Sequence, residues 1–129
     1  MKNNIKLMSL ALLVGMNVST SFAGELVFIC HKGMNYGKNE VRLAFKGQLD
    51  EPHMVDNSTL KSKLLEFVGV DAEHYRKSWN RSFFRRALNQ PQTRHSDAEV
   101  IDFVASHGEG IGYVSVAPSN NPDVEVCGK

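Results

Sequence analysis

The chain has 129 residues, 15 Lys plus Arg against 14 Asp plus Glu, and two cysteines. That length suits one small domain with a single core. The near-balanced charge gives no bulk attraction to nucleic acid or anionic lipid.

Residues 1–23 read MKNNIKLMSLALLVGMNVSTSFA. Lys2 and Lys6 form a basic start, Leu7–Val14 is an apolar run, and Ser21-Phe22-Ala23 sets small residues one and three before a cut. This order predicts a cleavable secretory signal peptide, with the working domain at 24–129. The apolar run is shorter than the ~20 residues of a spanning helix, which leaves an N-terminal membrane anchor as the lesser alternative. Loss of Lys2 and Lys6 would leave 13 basic and 14 acidic side chains. No later segment reads as a membrane span, so no membrane insertion is expected after cleavage, and no nucleic-acid partner.

Leu26–Cys30 is a continuous apolar run, predicted as a buried strand. Lys38–Lys46 places Val41, Ala44 and Phe45 at helical spacing, and Gly47 stops it. Pro52–Val55 reads as a second strand. Asn57-Ser58-Thr59 are helix-capping residues before a helix carrying Leu60, Leu64, Leu65, Phe67 and Val68, which ends at Gly69. Asp71 caps a third helix, in which Tyr75, Trp79 and Phe83 recur every four residues as a core-facing stripe. Its other face carries Arg76, Lys77, Arg81, Arg85 and Arg86, a solvated face or a surface for an acidic partner or lipid headgroups. Asn89–His95 reads as a polar linker. Ser96 and Glu99 form a capping box before a helix with Val100, Ile101, Phe103 and Val104. Ile111–Val116 and Val124–Cys127 complete the set as strands. Four strands alternating with four helices predict an α/β fold, a small mainly parallel sheet with flanking helices.

Export would place Cys30 and Cys127 in an oxidising compartment, where a disulfide would tie the first strand to the last. Two buried thiols or an intermolecular link are the alternatives. The five histidines show no metal-ligand spacing, and neither a metal nor a cofactor is expected. No Gly-x-Ser-x-Gly elbow and no catalytic-cysteine context occurs, so the chain does not read as an enzyme.

The best candidate site is the turn after the second strand. In open α/β sheets ligands bind beyond the carboxyl ends of strands, and a helix N-terminus there favours an anion. Asn57, Ser58 and Thr59 offer short donors and Lys61 a nearby charge, although a plain helix cap reads from the same residues. Asp56 disfavours an anion unless that anion carries a proton.

An ordered set of segments resembles the small phosphate-ABC-transporter substrate-binding-like proteins, members of the type 2 periplasmic-binding-protein superfamily. These are Leu26–Ile29, the Asn39–Gly47 helix ending in Phe45-Lys46-Gly47, and Met54-Val55-Asp56-Asn57-Ser58. Trp79, Phe83 or Phe84, and Pro91 follow, then Glu99-Val100 leading to Gly110-Ile111-Gly112-Tyr113-Val114. The resemblance implies one lobe of a periplasmic-binding-protein-like fold. It also implies a periplasmic location, a phosphate-like oxyanion as ligand, and an ABC permease or envelope sensor as partner. Of the family's Ser-Gly-Thr turn only Ser58 and Thr59 carry over, and Asp56-Asn57 stands where an Arg is expected. The alternative is a ligand-free periplasmic interaction module that docks on an envelope partner.

Overall fold

The computed structural model describes residues 26–129, so the segment expected to be a signal peptide lies outside the described residues. Strand side chains alternate between two faces, and here each face meets its own helices. Phe28 and Cys30 of β1 (Val27–His31), Met54 of β2 (His53–Asn57) and Ile111 and Tyr113 of β4 (Gly110–Val114) point to one side. They pack there against α1 (Lys38–Phe45), α2 (Lys61–Val68) and α3 (Ala72–Arg86). Ile29, Val55 and Val114 point to the other side, against Val100, Phe103 and Val104 of α4 (Asp97–Ser106). The fold is therefore a three-layer α/β structure.

The sheet has five strands in the order β3-β2-β4-β1-β5, with β3 at Gln92–Arg94 and β5 at Val124–Cys127. β2 pairs in parallel with β3 and β4, while β1 is antiparallel to both β4 and β5. Four strands thus share one direction and β1 alone runs against them. The expected count of four strands is corrected to five: the polar linker at 89–95 contains β3, an edge strand whose side chains are largely exposed. An edge strand needs no apolar alternation, because its outer side faces water.

The helix signals act as local chemistry dictates. Asp71 caps α3 by accepting from His74 N–H at 2.8 Å. Ser96 caps α4 by accepting from Glu99 N–H at 3.2 Å. The Glu99 carboxylate returns to the N–H of His95, one residue earlier than a capping box requires. Gly69 ends α2 at φ 88, in the left-handed region that suits glycine.

Trp79 is buried among α1, α3 and the sheet, and its indole N–H donates to the Phe45 carbonyl at 2.9 Å. Phe28, Phe45 and Tyr113 meet edge to face or tilted beside it. The predicted stripe of α3 fails at its third member. Tyr75 and Trp79 are buried, but Phe83 is 48% exposed. Steps of four residues drift by ~40° each around a helix, and two steps turn Phe83 out of the core. On the other face, α4 packs closely because β4 offers Gly112 there. A Cβ at that position would lie 2.6 Å from Val100 Cγ1 and 2.7 Å from Val55 Cγ1.

Cys30 of β1 and Cys127 of β5 are joined as a disulfide with Cα atoms 5.8 Å apart. The register explains the reach. Cys127 lies opposite Phe28, two positions from Cys30, so both cysteines point to the same face of the sheet.

Candidate functional site

Strands β2, β3 and β4 run in parallel and end together, at Asn57, Arg94 and Val114. Two helical segments start at that edge. A 3₁₀ turn at Ser58–Leu60 runs into α2, and α4 begins three residues after β3. The four residues predicted for the site are therefore brought together here. They differ in what their polar groups do.

Asn57 is fully buried and acts as a brace. Its side-chain N–H groups donate to Asp97 Oδ1 at 2.9 Å and to the Tyr113 carbonyl at 3.1 Å. Its oxygen accepts from the Thr59 N–H at 3.1 Å and the Thr59 hydroxyl at 2.6 Å. That fills both donor and both acceptor positions of an amide. The second oxygen of Asp97 accepts from the N–H and hydroxyl of Ser115, at 2.9 and 2.6 Å. The end of β2, the start of α4 and the segment after β4 are thereby tied into one network.

Asp56 points the opposite way. It is 3% exposed, and its Oδ1 accepts from the Tyr113 hydroxyl at 2.8 Å and the Tyr75 hydroxyl at 3.0 Å. Lys61 Nζ lies 3.4 Å from Oδ2 and over the Tyr75 ring at 4.8 Å from its centre. Burial raises the Asp56 carboxyl above its usual range, with Lys61 and the two tyrosine hydrogen bonds acting against that rise. Burial and the neighbouring carboxyl also push Tyr75 and Tyr113 upward. Both phenols therefore keep their protons and serve as donors.

Ser58 is exposed, and its hydroxyl lies 2.9 Å from His95 Nδ1, with the donor set by the imidazole tautomer. Ser58, Thr59 and His95 are the exposed residues here. Sequence reading brought forward Asn57, Ser58, Thr59 and Lys61 but not His95, Asp97, Ser115, Tyr75 or Tyr113. His95 is 37 positions from Ser58, and only the parallel pairing of β3 with β2 brings it near. A signal for Asp56 did exist. It is a charged residue in line with Met54 on the core-facing side of a strand, which demands buried donors.

Among the described residues, no group of three or more His, Cys, Asp or Glu is placed to hold a metal ion. No described helix is long and apolar enough to cross a membrane. A cavity of about 210 Å³ opens at the opposite, amino edge of the parallel strands, beside Pro52, His53, Leu88 and His107, away from the predicted site residues.

Comparison with protein-family models, curated proteins and solved structures finds no match for this chain.

Proposed function

We propose that the chain is an exported, solute-binding-like domain that takes phosphate or a similar oxyanion at the Ser58–Thr59 turn, in association with transport or sensing in the periplasm. The observation that carries the reading is the meeting of the Ser58 hydroxyl and the His95 imidazole, 2.9 Å apart. They meet at the edge where three parallel strands end and α2 begins. With the imidazole proton on Nδ1, the hydroxyl accepts from it and is left free to donate its own proton to an anion.

The internal arrangement of Asp56 removes the objection its charge raises. The carboxylate faces the interior, with Lys61 and two phenols around it. An incoming anion therefore meets a neutralised group. A single lobe leaves the anion open to water on one side, so weak binding is expected.

Titration calorimetry with inorganic phosphate, on the oxidised chain purified as the cell processes it, tests the reading. Heat of binding should appear, be lost in Ser58→Ala and weaken in His95→Ala. The absence of heat at millimolar phosphate would remove it.

One observation favours the second reading, a ligand-free module that docks on an envelope partner. Asn57, the Thr59 hydroxyl and Lys61 all have internal partners, as in a turn built to hold a shape.

A further inference from the structure

Helix α3 buries Tyr75, Trp79 and Ser82 and turns a different set of residues outward. Lys77, Arg81 and Arg85 recur every four residues along the exposed side. Phe84 stands beside the last two and is 82% exposed. Its ring meets Phe83 edge to face at 5.3 Å, so the two exposed aromatics cover one another in place of core.

Lys46, at the end of α1, faces this row across Gly47. Lys46, Ser78, Arg81 and Arg85 line a shallow depression of about 150 Å³. Arg86 also borders it but is held by Asp50 and the Gly47 carbonyl, and Lys77 is paired with Glu73. Lys46, Arg81 and Arg85 make no ion pair among the described residues. Apart from Lys2 and Lys6 the chain has 13 basic and 14 acidic side chains, so this positive row is local and not a property of the whole molecule.

Two features decide the kind of partner. The apolar part of this face is the single Phe84 ring, small beside the apolar centre of a stable protein interface. It suits the headgroup level of a bilayer, where aromatic rings anchor peripheral proteins. The unpaired cations around a depression the size of one small anion complement lipid phosphates. We propose that this face docks on an anionic phospholipid surface, with Phe84 at headgroup depth and lipid phosphates among Lys46, Arg81 and Arg85. α3 starts beside Asp56 at the carboxyl edge of the sheet and ends beside Asp50 and the amino-edge cavity. The docking face is thus remote from Ser58 and independent of the oxyanion reading.

The test is co-sedimentation of the oxidised, processed protein with vesicles of phosphatidylcholine alone, or of equal parts phosphatidylcholine and phosphatidylglycerol, without phosphate in the buffer. Binding should occur on the anionic vesicles only and decline as salt screens the contact. It should weaken about tenfold or more in the Arg81→Glu/Arg85→Glu variant and severalfold in Phe84→Ala, with unchanged circular dichroism. No binding to anionic vesicles at low salt overturns the proposal. Binding that neither variant alters overturns it as well. So does an acidic peptide that binds the same face with equal strength whether or not Phe84 is present, since that would mark a protein-docking or purely charged surface. Because phosphate is absent, a negative result leaves the calorimetric test of Ser58 intact.

Discussion

Replacing Asp56 separates two roles that the site combines. In Asp56→Ala the hydroxyls of Tyr75 and Tyr113 lose their shared acceptor, and both rings are buried. An unsatisfied buried hydroxyl costs roughly 1–3 kcal/mol. Two of them, partly offset because a desolvated carboxylate is no longer buried, give an expected loss of about 2–4 kcal/mol. For a domain of this size that is a fall in Tm of roughly 10–20 °C. Asp56→Asn differs. Both tyrosines donate to Oδ1, which an asparagine oxygen replaces, and Lys61 is exposed enough to turn to water when its partner goes. The Asn variant should stay within about 1 kcal/mol of the parent at neutral pH.

The pH dependence has a definite sign. The folded-state carboxyl is raised above its ordinary value of 3.8, with burial as the main cause. Between 3.8 and the raised value the folded chain binds more protons than the unfolded chain. Stability therefore declines as pH rises through that window. Asp56→Asn lacks the term, so it should gain on the parent over the same window. Urea denaturation followed by the fluorescence of the single, buried Trp79 measures all three proteins. An Asp56→Ala variant as stable as the parent, or an Asn variant as damaged as the Ala one, would refute the reasoning. A parent that gains on Asp56→Asn with rising pH would show that the Lys61 pairing outweighs burial.

Two further predictions concern the frame. The Cys30–Cys127 bridge spans 97 positions, and the double replacement by Ser should lower unfolding free energy by about 4–5 kcal/mol on the chain-entropy model; an unchanged urea midpoint would count against it. Ala87 ends α3 at φ 58, a left-handed conformation that suits glycine, so Ala87→Gly should raise stability by about 0.5–1 kcal/mol in thermal unfolding, and a fall of that size would contradict the strain assignment.

What the sequence reveals and what it hides divide along local and non-local lines. Asn57, Asp71, Ser96 and Gly69 mark helix boundaries because capping is a matter of one side chain and the backbone within three residues. Leu26–Cys30 and Val124–Cys127 show as strands because their apolar runs are continuous. β3 stays hidden because Gln92-Thr93-Arg94 sits at an exposed edge where packing imposes no pattern. The reversed direction of β1 is hidden for another reason. An apolar run has the same composition whichever way it is laid into a sheet. Phe83 misleads because a strict four-residue spacing drifts around the helix, while the core stays on one side of it. At the site, the turn is legible, but its connections are not. The meetings of Ser58 with His95 and of Asp56 with Tyr113 depend on pairings between strands far apart in the chain.

The placement of β1 has a consequence for how the chain is assembled. It is the first described strand in the chain, yet its hydrogen-bonding neighbours are β4 and β5, at Gly110–Val114 and Val124–Cys127. A chain made from its amino end holds the apolar segment Val27–His31 without a strand partner until residues 110–127 have followed. The sheet then closes around it by contacts of long sequence separation, which slow folding. Such a topology delays closure of the sheet until both of its late strands are present, and the Cys30–Cys127 bond, which joins the first described strand to the last, can form only once β5 lies beside β1.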